Sequence, residues 1–427
     1  MKVFKFGGAS VKDAASVRNV GSIMQAQLVN GHYILVVVSA MGKTTNALEK
    51  VIEKAYQQQD FRPELNNLKA YHVNIAKDLF STEHPVHASL QELFRQLEEY
   101  LAIIDPTTLF DFQYDQVVSY GELLASIILQ HYLQDLALPT TWLDCRSIIR
   151  TDNLWREGRV DWGATQTKIQ EVVKPLLQNA HVITQGFLGG TAEGLTTTLG
   201  REGSDYSAAI FAHSLAAESV TIWKDVAGLL NADPKLFPNT VLYEEISYQE
   251  TVEMAYYGAS VIHPKTIKPL ATSHIPLLVK SFLNPEAPGT IIHDCRHEKI
   301  APAYILKQNQ CLISFQEKDY AFINENNLSH IFAALANFRF KINLMQNSAI
   351  SFSICTDYDE TRLQLFRQSL QEQFHIHYNT GLTLFTIKNY DEASVNFLTQ
   401  NKTMLLEQRS RTTFQFVSKA EPVLTSS

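Results

Sequence analysis

Residues 33–38 read Tyr-Ile-Leu-Val-Val-Val, a β-branched run that is apolar at nearly every position. A strand without polar alternation must be covered on both faces, as a central strand of a parallel sheet is when helices flank it. Lys2–Phe6 is a second strand-like run and stops at Gly7-Gly8; others follow at His181–Thr184, Ser219–Trp223 and Pro276–Val279. Helix-like segments lie between them. In 62–135, for example, Leu90, Leu93, Phe94, Leu97 and Leu101 fall on one stripe, the 3.6-residue period of an amphipathic helix. Strands alternating with helices predict an α/β fold with a layered sheet over roughly the first 300 residues.

The texture changes where Asn284-Pro285, Pro288-Gly289 and Pro302 cluster. Beyond them Asn327–Phe338 reads as a helix, with strands near 311–315, 341–345 and 350–355, a second helix over Arg362–Phe374 and a strand at Thr383–Ile387. That β-α-β-β-α-β order is ferredoxin-like. Asp391–Gln400 reads as helical and Thr403–Leu406 and Thr413–Val417 as extended, which suits part of a divergent second copy. The expected division is 1–300 and 301–427.

Composition narrows the function classes. With 427 residues and 45% hydrophobic content the chain can bury more than one core, and its net charge of -8 offers nucleic acid no basic footprint. The most apolar stretch falls far short of the ~20 residues of a membrane helix, and the N-terminus enters a strand with no signal-type apolar core. Cys145, Cys295, Cys311 and Cys355 are scattered without a C-x-x-C pair, so neither a disulfide framework nor a zinc site is legible. The expectation is a cytoplasmic protein with no nucleic acid or membrane partner and no metal site of its own.

Four clusters sit where strands end. Lys5-Phe6-Gly7-Gly8-Ala9-Ser10 pairs a cation with two glycines that let backbone N–H groups approach an anion; a plain strand-to-helix turn is the simpler account. Ser39-Ala40-Met41-Gly42-Lys43-Thr44-Thr45-Asn46 ends like a phosphate-binding P-loop, but Val37 stands where that motif needs its first glycine, so the P-loop is rejected. Gly186–Gly190 and Thr196–Tyr206 place a hydroxyl run, Arg201 and Asp205 ahead of an alanine-rich helix, which suits an anion nest beside a cation and a carboxylate. Trp223–Lys235 puts Asp225 at a strand end, where α/β folds place ligands. Glu122 at a helix start is explained by the macrodipole alone. His263, with no Asp or Cys at ligand spacing, reads as structural.

Together KFGGAS (5–10), VVVSAMGKTTN (36–46), SYGE (119–122), IIRTD (148–152), TQGFLGG (184–190), TTTLGREGSDY (196–206), WKDVAGLLNADPK (223–235) and MAYYGASVIHPKTIKP (254–269) resemble the aspartate kinases of the amino acid kinase family. The resemblance spans nearly the whole chain. It implies a three-layer αβα sandwich around a largely parallel sheet, followed by tandem ACT domains that bind amino acid effectors and dimerise. It implies transfer of the ATP γ-phosphoryl group to the β-carboxylate of L-aspartate, with Mg²⁺ bridging the β- and γ-phosphates and few direct protein ligands to it. Lys5 and Asp205 would be catalytic, with Gly7 and Gly8 donating to phosphate. Ser39, Thr45, Glu122 and Arg201 would hold aspartate, Glu122 taking its ammonium group and Arg201 a carboxylate. Lys224, Asp225, Leu230 and Lys235 would lie by the nucleotide.

The chain departs from the family pattern at Ala9, Glu202, Lys224 and Ser260, where Thr, Gly, Thr and Lys are common. The position of Ser260 normally supplies a nucleotide-contacting cation, and Lys224 is expected to take over that charge. In the tail, Met345, Gln346, Asn347 and Ser348 mark the effector region. Asn343 and Ala349 replace an Asp and a Glu that inhibitor-sensitive relatives often carry, which predicts weak lysine inhibition. Two other readings stay open: a kinase for another carboxylate such as glutamate, and a regulatory subunit whose kinase lobe only binds ligands. A fused dehydrogenase is not expected, since no chain remains after the ACT region.

Overall fold

Ile34–Val38 is a strand buried at all five positions, and it lies parallel between Lys2–Phe6 and His181–Gln185. The computed structural model describes residues 1–28, 33–259, 262–319 and 321–419. They divide into two compact units. One comprises Met1–Leu229, Leu242–Val252 and Val261–Arg296, the other Leu230–Val241, Glu253–Ser260 and His297–Ser427.

The first unit holds an eight-stranded sheet in the order Thr140–Leu143, His181–Gln185, Ile34–Val38, Lys2–Phe6, Ser219–Lys224, Leu277–Ser281, Thr290–His293, Glu245–Ser247. Neighbours are parallel except for Thr290–His293, which runs antiparallel to Leu277–Ser281. Phe4, Phe6, Val36, Val38, Ile183 and Trp223 share one core with helical residues such as Leu90, Phe94, Leu97, Leu124 and Ile128. Each such side chain, fully buried, contributes about 1.5–3 kcal/mol. Because strand residues alternate, Lys5 and Lys224 take the face opposite to Phe6 and Trp223. On that side the helix Gly203–Leu215 contacts Lys2–Phe6, and its Ala208, Ala209 and Ala212 are fully buried. These small side chains let helix and strand approach closely.

The second unit holds a six-stranded sheet in the order Ile342–Asn347, Phe352–Asp357, Ala303–Glu317, Phe374–Lys388, Thr413–Lys419, Met404–Arg409, antiparallel throughout. The β-α-β-β-α-β order read from the sequence is present, with helices Glu325–Asn337 and Glu360–Leu370, and ACT-like domains share this architecture. Three of these elements differ in extent from expectation. The strands near 311–315 and 383–387 are parts of two 15-residue strands, Ala303–Glu317 and Phe374–Lys388. The second helix stops at Leu370 and not at Phe374, because Phe374 opens a strand and turns its ring toward Phe315, 6.2 Å between centroids. Phe315, Phe352, Phe366 and Phe374 fill one aromatic core, and Phe385, Phe414 and Phe416 another. Asn324 and Asp391 close capping boxes on the helices Glu325–Asn337 and Glu392–Thr399, satisfying N–H groups the helices cannot. No described helix is long and apolar enough to cross a membrane.

Candidate active site

Lys5 is one residue short of the end of its strand and is 8% exposed. Its Nζ lies 2.7 Å from Asp205 Oδ1, and Lys224 Nζ lies 3.8 Å from Asp205 Oδ2. Strand register brings the lysines together: Lys5 pairs with Ile222, two residues before Lys224 on the same face. Burial pushes the Asp205 carboxyl up, but Lys5 and then Lys224 outweigh it and hold the group below its usual range. Asp205 is in the first turn of Gly203–Leu215, where the helix dipole also favours a negative charge. The result is two ammonium groups around one carboxylate.

Two loops close over this point. Gly42 N–H donates to Gly8 O at 3.0 Å and Ser39 N–H to Phe6 O at 3.1 Å. A Cβ on Gly8 would lie 2.7 Å from Ala40 O, so only glycine permits this approach; a Cβ on Gly7 would come within 3.3 Å of Lys5 Nζ. Thr45 is half-buried in the first turn of Thr44–Tyr56. Its neighbour Thr44 is occupied internally, 3.3 Å from His72 Nε2, and burial drives His72 down to about 4.

Glu122 is buried in the first turn of Tyr120–Asp135. Its Oε1 accepts from Ala40 N–H at 3.2 Å, while Oε2 is buried with no hydrogen-bond partner among the described residues. Burial lifts the carboxyl to about 8, against the Ala40 N–H and the more distant Lys5 charge. A buried acceptor left open costs about 1–3 kcal/mol, so Glu122 has capacity for one further donor.

Arg201 is exposed and makes no ion pair with the described residues. Beside it, Glu202 takes a left-handed conformation, φ 53°, as the residue capping Gly203–Leu215. That backbone explains why glycine suits this position. The Glu202 carboxylate accepts from His263 N–H at 2.9 Å, so the charge this departure brings is met by a backbone amide. His263 in turn caps Pro264–Thr272, accepting from Lys265 N–H at 3.1 Å, which agrees with a structural histidine.

Some site residues were not legible. Asp115 is buried and accepts from Thr198 N–H at 3.0 Å, Thr198 Oγ1 at 2.8 Å and Arg156 N–H at 2.9 Å. It anchors the strand that leads to Arg201. Burial is the largest influence on it and lifts it to about 6 despite those donors. Its one sequence signal was its place just ahead of Ser119-Tyr120-Gly121-Glu122. Asp225 is exposed directly after Ser219–Lys224. Leu230 and Lys235 fall in the second unit, and Ser260 lies outside the described residues. Met345, Gln346, Asn347 and Ser348 are exposed on and after the edge strand Ile342–Asn347.

The amino acid kinase family model matches residues 1–281. The chain belongs to that family. Within the amino acid kinases it stands among the aspartokinases. It is 31% identical to lysine-sensitive aspartokinase 3 of Escherichia coli, over 83% of this chain and 78% of that protein. It is 29% identical to the chloroplastic bifunctional aspartokinase/homoserine dehydrogenase 2 of Arabidopsis thaliana, over 87% of this chain but only 42% of that longer protein. The fold is similar to E. coli aspartokinase III in complex with aspartate and ADP, with a TM-score of 0.82 at 27% identity, covering 98% of this chain and 96% of that one. The same enzyme with lysine and aspartate gives a TM-score of 0.79 at 26% identity, covering 98% and 95%.

Proposed function

We propose that this amino acid kinase transfers the γ-phosphoryl group of ATP to the β-carboxylate of L-aspartate, giving 4-phospho-L-aspartate and ADP. The observation that carries the reading is the juxtaposition of Lys5, Asp205 and Lys224 at the end of the central strands. Phosphoryl transfer asks a protein mainly for positioning and charge neutralisation. Lys5 and Lys224 neutralise the transferring group, and Asp205 holds both ammonium groups in place before the nucleotide arrives. Gly7 and Gly8 leave room for phosphate to reach backbone N–H groups.

Glu122 presents its open oxygen to the substrate ammonium group, and Arg201 pairs bidentately with a substrate carboxylate. Ser39 and Thr45 complete the acceptor contacts. Asp225 is the nucleotide contact assigned to the first unit; for Leu230 and Lys235 the resemblance is the support. Asp205 is already claimed by two lysines, so Mg²⁺ enters as part of the nucleotide substrate. The product feeds lysine, threonine and methionine formation, and the second unit regulates and dimerises.

Incubating the purified chain with Mg-ATP, L-aspartate and hydroxylamine traps the acyl phosphate as a hydroxamate. Product with aspartate and none with glutamate is expected. Product with glutamate alone would assign a different acceptor, and none with either would leave a ligand-binding regulatory subunit.

A further inference from the structure

Among the described residues one group of side chains could hold a metal ion: Glu245, His293 and Cys295, whose ligand atoms all lie within 4.8 Å of one another. Nothing in the phosphoryl-transfer reading uses it. Its sequence signal is minimal, because His293 and Cys295 are two residues apart and Glu245 comes from another strand. Only the parallel pairing of Glu245–Ser247 with Thr290–His293 unites them.

We propose that Glu245, His293 and Cys295 form a binding site for a zinc-like divalent transition metal at the edge of the large sheet. His293 Nε2 and Glu245 Oε1 are hydrogen-bonded to each other at 2.5 Å, so imidazole and carboxylate already face one another and a metal would enter by replacing that hydrogen bond. Zinc bonds of about 2.0–2.3 Å place ligand atoms of a tetrahedral site roughly 3.3–3.8 Å apart. The ligand atoms, all within 4.8 Å of one another, bracket that spacing. Glu245 is exposed and the other two are half-buried, which leaves the fourth position to water. A thiolate beside an imidazole selects zinc, cobalt or nickel over magnesium or calcium. On binding, the Cys295 thiol proton and any proton on His293 Nε2 pass to solvent, water ligands leave the metal, and metal–sulfur, metal–nitrogen and metal–oxygen bonds form with no redox change.

The site is remote from the phosphoryl-transfer residues. Lys224 pairs with Ser281 at the far end of Leu277–Ser281, whereas Ile292 pairs with Leu277 at its beginning. His293 and Cys295 therefore sit at the opposite end of the strands from Lys5 and Lys224. Glu245–Ser247 is a three-residue edge strand whose sheet partner is Thr290–His293. A bound metal clasps that edge strand to its neighbour.

The test uses the full chain, equilibrated with zinc and then freed of unbound metal. One zinc per chain is expected by elemental analysis. His293→Ala and Cys295→Ser are each expected to weaken binding by at least roughly 100-fold, the upper end of what loss of an outer-shell partner costs. Cobalt offers a readout that needs no variant, a thiolate-to-cobalt charge-transfer band on the wild-type chain; Cys295→Ser, with circular dichroism unchanged, should lose it. Zinc should also raise the thermal midpoint of the wild type and not that of His293→Ala. No stoichiometric zinc on the wild type, equal zinc on the doubly substituted chain, or a cobalt spectrum without the sulfur band would each overturn the site and leave an ordinary histidine–carboxylate pair. None of these readouts depends on kinase activity.

Discussion

Glu122 couples pH to substrate binding. Its ligand-free carboxyl is raised to about 8 by burial, whereas an ammonium partner requires the ionised form. Aspartate binding below that pH must therefore expel a proton. The KM for aspartate should fall by up to about tenfold per unit as pH rises toward 8, and Glu122→Gln should flatten that slope. Stability runs the other way. A folded value above the ordinary 4.5 means Glu122 favours the ligand-free fold fully below 4.5 and loses that contribution as pH rises to about 8. Denaturation midpoints of the parent should fall across that window while those of Glu122→Gln do not. At Lys224, removal of the ammonium group should raise the KM for ATP by roughly 10- to 100-fold, the equivalent of one charged hydrogen bond; an unchanged KM would sink its role. Glu202 separates strain from bonding. Glu202→Ala loses the His263 contact and keeps the left-handed backbone, while Glu202→Gly loses the contact and relieves the strain. The glycine variant should be about 1 kcal/mol the more stable in urea unfolding.

At the scale of elements, the site is a seam between strand ends and helix starts. Phe187 N–H donates to Ser207 Oγ at 2.9 Å and Leu199 N–H to Phe187 O at 2.8 Å, which fixes the helix Gly203–Leu215 against the loop that precedes Arg201. Gly186 packs directly on that helix start: a Cβ there would lie 2.5 Å from that of Ser204. Gly186→Ala should push the helix start away from Lys5, costing about 1–3 kcal/mol as overpacking does. Activity should fall with it, and a variant of unchanged stability and rate would show that the helix start tolerates displacement. The same seam explains what the motifs revealed and what they hid. Gly7-Gly8 and Gly186 were visible because tight approaches demand glycine. Asp115 was hidden because its partners, Thr198 and Arg156, meet it only through tertiary packing.

On the scale of the molecule, the second unit answers the question raised by Asn343. Its side chain is buried in a closed network: Nδ2 donates to Gln310 Oε1 at 2.8 Å and to Asp357 Oδ1 at 3.0 Å, and Oδ1 accepts from Lys307 at 2.9 Å. An amide tied into this network beside Lys307 offers an effector's ammonium group no charged partner, and the exposed Ala349 adds no charge. Lysine should therefore inhibit hydroxamate formation weakly or not at all, and half-inhibition at micromolar lysine would refute this. The amino-acid sequence alone carried the alternation of strands and helices and the glycines at strand ends, because local geometry and close backbone approach restrict which residues can stand there; its resemblance to the aspartate kinases marked Lys5 and Asp205 as catalytic. Tertiary structure alone decided that Lys224 shares Asp205, that Glu202 serves an amide, that one oxygen of Glu122 stays open, and that Glu245, His293 and Cys295 converge. Each of those facts depends on strand register and burial, which set distances between residues far apart in the chain and leave no spacing for a sequence to display.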